Sequence, residues 1–206
     1  ENKSGQLSSL MPYLPKDYKA LYKARYLLAI RLHGVEYAVK NVPNKYKNNQ
    51  GLLYQRLLLK IKKDKIDSAF NLLLKAKSDK ENFNRPDKFW NPASIIARRL
   101  VYKKKYLAAY KIASKHHLKK GSNYSEAEWL SGWIALSFLN NPKLALKHFF
   151  NMTESAYNSK SKSRAAYWYA KTYETLSQQD LAKNWYIKGS SYPTTFYGQL
   201  SFQKIF

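Results

Sequence analysis

Aromatic rings, four histidines and a few carboxylates are the side chains in this sequence whose types and spacing could do chemistry. Trp129 and Trp133 stand four apart, and so do Tyr169 and Tyr173, so on a helix each pair shares a face. Further aromatics, from Phe138 to Tyr186, crowd the same region. Aromatic platforms hold sugar rings and single-stranded nucleic acid, but the same residues also fill the cores of helix pairs, and both readings stay open. His33, His116, His117 and His148 form no zinc-binding helix face, and adjacent His116 and His117 point in different directions on a helix. They read as core or surface residues, and no metal or other cofactor is expected. Glu126 and Glu128 are two apart, which separates their directions on a helix and disqualifies them as a glycosidase pair. Helix capping and solubility account for them. With 7 glycines scattered and no GxGxxG, Walker or GxSxG motif, nothing supports nucleotide binding or a serine hydrolase. Zero cysteines exclude a disulfide framework, a thiolate metal site and a cysteine nucleophile.

The 206 residues carry a formal charge of +24, which first suggests a nucleic-acid partner. The kind of charge argues against it. Lysine outnumbers arginine 30 to 7, whereas base and phosphate readout favours the planar, bidentate guanidinium. Asn (15) and Tyr (18) are also frequent, and AT-rich coding raises all three together. Lysine clusters at 60–63, 103–105 and 119–120 lie near the ends of helical patterns, where they complement helix dipoles.

The elements that must position these groups are helices. Only 4 Val and 9 Ile stand beside 26 Leu, a composition that favours helix over strand. Hydrophobic periodicity places helices over 17–33, to about 41, 52–63, 66–76, 92–103, 106–117, 129–139, 144–152, 163–176 and 181–188, with a final segment 194–206. Gly34 ends the first, and residues 78–89 read as a polar loop containing Pro86. Asn91-Pro92 and Asn141-Pro142 each read as an N-cap followed by proline at the first helical position. Ser125 and Glu128 have capping-box spacing. The second helix of each pair carries a small residue in a similar setting: Ala38, Ala69, Ala109, Ala145 and Ala182, at intervals of 31, 40, 36 and 37. A period near 35 with such alanines is the mark of an α-solenoid. The expected fold is all-α: antiparallel helix pairs in a tetratricopeptide-like right-handed superhelix. Residues 1–16 form a flexible lead-in, and 17–206 one domain of about five degenerate pairs plus a C-terminal helix. No apolar run is long enough to span a membrane. The chain begins at Glu1 without a charged-then-apolar leader, as expected of a mature or excised piece.

Three stretches together resemble one family, the soluble lytic murein transglycosylases of bacterial periplasms. Ser125 to Leu139 (SEAEWLSGWIALSFL), followed by Asn141-Pro142 and Ala-Leu-Lys-His-Phe at 145–149, looks like the family's "EAEFLAGW-ALR" helix and its "A--HF" partner. Ser163 to Lys171 (SRAAYWYAK) is similar to the "S-ARA-YW-GR" helix, and Thr195 to Leu200 (TFYGQL) to the "YYGQLA" segment that closes the helical linker. Residues 90–99 fit the stretch before the first of these, and 17–77 share only the helix-pair style. Ser201 replaces the usual Ala, and Ala170-Lys171 the usual Gly-Arg.

The resemblance implies a long superhelical α domain ahead of a lysozyme-like domain. There a single Glu, followed by Ser, cleaves the MurNAc–GlcNAc bond with 1,6-anhydromuramoyl formation. It implies a periplasmic location, with peptidoglycan strands and the chain's own C-terminal catalytic domain as partners. Glu154-Ser155-Ala156-Tyr157-Asn158 looks like the family's catalytic "ESAFN". No glycine-rich "GLMQ" helix follows, however, and the 164–171 motif stands in its place, so Glu154 is disfavoured and no catalytic residue is expected. Trp129, Trp133, Tyr167, Trp168 and Tyr197 are the candidate substrate contacts. Two other readings remain: a tetratricopeptide-like protein-interaction module, and nucleic-acid binding through the basic surface, which only the charge supports.

Overall fold

A computed structural model describes residues 9–30, 33–78 and 83–205. Those parts of the expected lead-in, of the 17–33 helix, of the 78–89 loop and of the final segment that fall on 1–8, 31–32, 79–82 and 206 lie outside the described residues. Among the described residues the structure is all-helical, with no strand. In chain order the helices are α1 (Lys16–Ile30), α2 (Val35–Lys40), α3 (Gln50–Lys62), α4 (Ile66–Ser78), α5 (Pro86–Tyr102) and α6 (Tyr106–Ser114). They continue as α7 (Ser122–Ser137), α8 (Pro142–Ser155), α9 (Ser159–Thr175), α10 (Gln179–Ser190) and α11 (Phe196–Gln203). None is long and apolar enough to cross a membrane.

The backbone groups into two compact units, residues 1–85 and 86–206. In the first, α1 packs on both α2 and α3, and α3 on α4, around a core that includes Leu21, Ala24, Leu28, Ala38, Val42 and Leu52. In the second, every helix packs against its successor, and α5, α7, α9 and α11 also touch next-but-one. The odd-numbered helices of this unit therefore form one row. Contacts confined to near neighbours are what stacked helix pairs make.

All five spaced alanines are buried, between 0% and 7% exposed. A methyl group at the crossing lets the helices of a pair approach closely, and larger neighbours close over it: Phe149 and Met152 lie one and two turns beyond Ala145 in the same core. The turns repeat as well. Asp64, Lys104, Asn140 and Ser177 all have left-handed backbone (φ +52°, +58°, +47° and +60°), each five residues before a spaced alanine. The following amide closes back over the helix end: Lys65 N–H donates to the Lys60 carbonyl, Lys105 to Leu100 and Gln178 to Tyr173. These are Schellman-type stops that satisfy carbonyls the helix leaves open.

Helix starts divide the sequence expectations. Asn141 caps α8 as expected, its Oδ1 accepting from Leu144 N–H at 3.0 Å with Pro142 in the first turn. Asn91-Pro92 does not start a helix. α5 begins at Pro86, inside the expected loop, and Pro92 lies within it, buried. The true start also has proline at its first position, and burial of Phe89, Trp90 and Ala93 around Pro92 outweighs the one backbone hydrogen bond the ring removes. Ser125 and Glu128 are likewise no capping box: α7 begins at Ser122, and both lie inside it, buried.

Candidate functional site

The five aromatic residues nominated from the sequence come together on the odd-numbered row. Trp129 and Trp133 of α7 stack with ring centroids 5.7 Å apart and planes 7° from parallel. Trp129 meets Trp168 of α9 edge to face at 6.1 Å, and Trp168 meets Tyr167 at 5.8 Å. Tyr167 reaches Tyr197 of α11 at 5.3 Å. The result is a continuous run, Trp133–Trp129–Trp168–Tyr167–Tyr197, every member half-buried. Burial pushes the Tyr167 phenol above its ordinary pKa. Half-burial leaves each ring partly packed on its neighbours and partly accessible. The indole Nε1 atoms of Trp129 and Trp168 are covered, yet neither has a hydrogen-bond partner.

Arg164 is set into the middle of the run. Its guanidinium carbon lies 3.8 Å from the centre of the Trp129 ring and 6.0 Å from that of Tyr197. Nη1 bonds Glu126 Oε2 at 2.8 Å, while Arg98 Nη2 of α5 holds Oε1 at 2.7 Å. Glu126 thus clamps α5, α7 and α9 together. The α11 end is fixed by two close approaches. Thr195 Oγ1 lies 2.8 Å from Ser163 Oγ and accepts from Gly198 N–H at 3.0 Å. A Cβ at Gly198 would fall 1.9 Å from the Tyr192 carbonyl oxygen, so glycine beside Tyr197 is required by packing.

A second cluster, not anticipated from the sequence, lies inside the same unit. Glu128, 5% exposed, accepts from His116 Nε2 at 3.1 Å and from His148 Nδ1 at 2.6 Å. The remaining nitrogens are also engaged. Leu118 N–H donates to His116 Nδ1 at 3.0 Å, and the Tyr110 hydroxyl meets His148 Nε2 at 2.8 Å. This pattern fits both imidazoles as neutral, His116 protonated on Nε2 and His148 on Nδ1, around an ionised carboxylate. Burial works to raise the Glu128 pKa, but the hydrogen bonds that His116 and His148 donate to it outweigh burial and bring it down to about 2. Burial, and then the Glu128 charge, hold the Tyr124 phenol above its usual value. With every inward atom paired, the cluster ties α6, the 115–121 connection, α7 and α8 together and offers nothing to a substrate. Among the described residues no group of three His, Cys, Asp or Glu is placed to hold a metal ion.

Glu126 and Glu128 do diverge as their spacing demands, one into the arginine clamp and the other into the core. Glu154 is exposed in the last turn of α8 and belongs to neither cluster. The signal for Glu128 was its company. Ser125, Ser131, Gly132 and Ala135 put a column of small residues on the buried face of α7, and a charge among them needs partners from elsewhere. Comparison of the chain with protein-family models, curated proteins and solved structures found no match.

Proposed function

We propose that this chain is a non-catalytic, superhelical segment of a soluble lytic murein transglycosylase. Its role would be to position peptidoglycan for cleavage of the MurNAc–GlcNAc bond, with 1,6-anhydromuramoyl formation, by a catalytic domain outside these residues. The corresponding location is the bacterial periplasm. One observation carries the reading: the three stretches that resemble the family lie on packed neighbours α7–α8, α9 and α11, and their aromatic side chains join into one half-buried run. Stacked rings with an arginine among them suit the apolar faces and hydroxyl edges of a glycan. The lysine-rich surface suits the carboxylates of its stem peptides through weak, salt-sensitive contacts.

Co-sedimentation with purified sacculi tests this. Retention is expected at low salt and in part at moderate salt, and Trp133→Ala, which removes a half-buried ring of the run, should reduce it severalfold while the thermal transition persists. No retention at either salt concentration removes the wall-binding role.

A further inference from the structure

Glu154 lies where its own helix disfavours it. It occupies the last turn of α8, at the negative end of the dipole, and Lys162 occupies the first turn of α9, at the positive end. Neither side chain has a hydrogen bond or ion pair among the described residues. The other acidic residues of the unit do not share this arrangement: Glu126, Glu128 and Glu174 are paired, Asp87 is engaged, and Asp180 sits in a first turn, where an acid is favoured. The described fold does not use these two charges, which remain free for a ligand.

Both line one groove, of about 420 Å³, within the ~300–1,000 Å³ of small-molecule sites. Ala165 and Ala166 belong to its lining and leave room for small side chains. Trp185 forms an aromatic wall, half-buried and bracketed by Tyr169 at 4.8 Å and by Lys188 Nζ, 4.0 Å from the ring centre. We infer that this groove binds a short zwitterionic peptide, its ammonium on Glu154 and its carboxylate on Lys162 and Lys188. The dipoles that oppose the side-chain charges within the fold act with them on such a ligand. The end of α8 draws an ammonium together with Glu154, and the start of α9 draws a carboxylate together with Lys162. An anion alone would leave Glu154 as a repulsive neighbour, and a cation alone would face two lysines. Only a ligand with both charges meets complementary groups throughout.

The inference goes beyond the glycan reading and does not depend on it, since a chain that fails to hold sacculi can still bind peptide here. Titration of ¹⁵N-labelled chain with trialanine, followed on the Trp185 indole and Ser191 amide signals, tests it. Saturable shifts in the millimolar range are expected. N-acetyl-trialanine amide, which lacks both charges, should bind about tenfold more weakly or not at all. Glu154→Gln and Lys162→Gln, both exposed, should each weaken trialanine severalfold while leaving the thermal midpoint in place. Absence of shifts, equal binding of the blocked peptide, or unchanged affinity in both variants would overturn the proposal.

Discussion

Glu128 has acceptor sites for every donor aimed at it, and that makes its ionised form part of the fold. A carboxylate whose native pKa is about 2, below its ordinary 4.5, stabilises the folded state fully above 4.5. That contribution drains away as the pH falls from 4.5 towards 2. It amounts to about 3 kcal/mol for a group this deeply buried. Urea titrations at pH 7, 4 and 2.5 should show it as a steep loss of stability in the wild type. Glu128→Gln should be less stable by about 2–4 kcal/mol at pH 7, because one carboxylate oxygen becomes an NH2 facing an imidazole N–H. Its stability should also fall less between pH 4 and 2.5, and an equal fall would show that Glu128 is not the titrating group. The sequence disclosed the aromatic residues and hid this network for one reason, the range of the interaction. Trp129 and Trp133 declare a shared face by their spacing alone. His116 and His148 stand 12 and 20 residues from Glu128 on other elements, and only the packing of those elements joins them. The left-handed His117 (φ +58°), which turns the connection so that its neighbour points inward, carries no compositional mark either.

Helix ends show the same contrast. Asn141-Pro142 and Asn91-Pro92 are the same dipeptide, yet only the first starts a helix, because a second proline six residues earlier, with Phe89 and Trp90 to bury, offered α5 a better beginning. The turns were legible in spacing but not in chemistry, since Lys104 and Ser177 do what glycine usually does. A non-glycine residue with φ near +60° is strained by about 1 kcal/mol, so Lys104→Gly and Ser177→Gly should each stabilise by roughly 0.5–1 kcal/mol. Calorimetry should register a midpoint rise of about 1–4 °C each, and a fall would mean that the side chains hold the turns in some other way. Gly198→Ala is the opposite case. Its Cβ would strike the Tyr192 carbonyl and the Thr195 hydroxyl, distorting the turn that leads into α11. A loss of about 2 kcal/mol or more is expected, with a changed Tyr197 environment in near-ultraviolet circular dichroism.

At the scale of the molecule, two compact units imply that residues 86–206, which keep their own core and the whole aromatic run, should fold as a separate fragment. A cooperative urea transition in that fragment, with the near-ultraviolet signal of the full chain, is the expected result. Non-cooperative melting would show that the first unit is required. The charge also takes its place here. Arg98 and Arg164 are bound to Glu126 and Arg25 to Gln55, so part of the small arginine complement is structural, and the exposed positive charge is largely lysine. Association through such flexible, hydrated charges weakens steeply as the screening length shortens from about 10 Å at 0.1 M salt to about 3 Å at 1 M. The aromatic contribution should survive that change, which separates the two in sacculus retention. The left-handed turns carry one more consequence, for how such a chain can be edited. Asp64, Lys104, Asn140 and Ser177 punctuate the chain at intervals of 40, 36 and 37 residues, each in nearly the same backbone state and the same number of steps from a buried alanine. Within residues 86–206, cutting from Lys104 to Asn140, or from Asn140 to Ser177, re-closes the backbone in a φ it already uses, and what such a deletion costs is the side-chain ties of the excised helices.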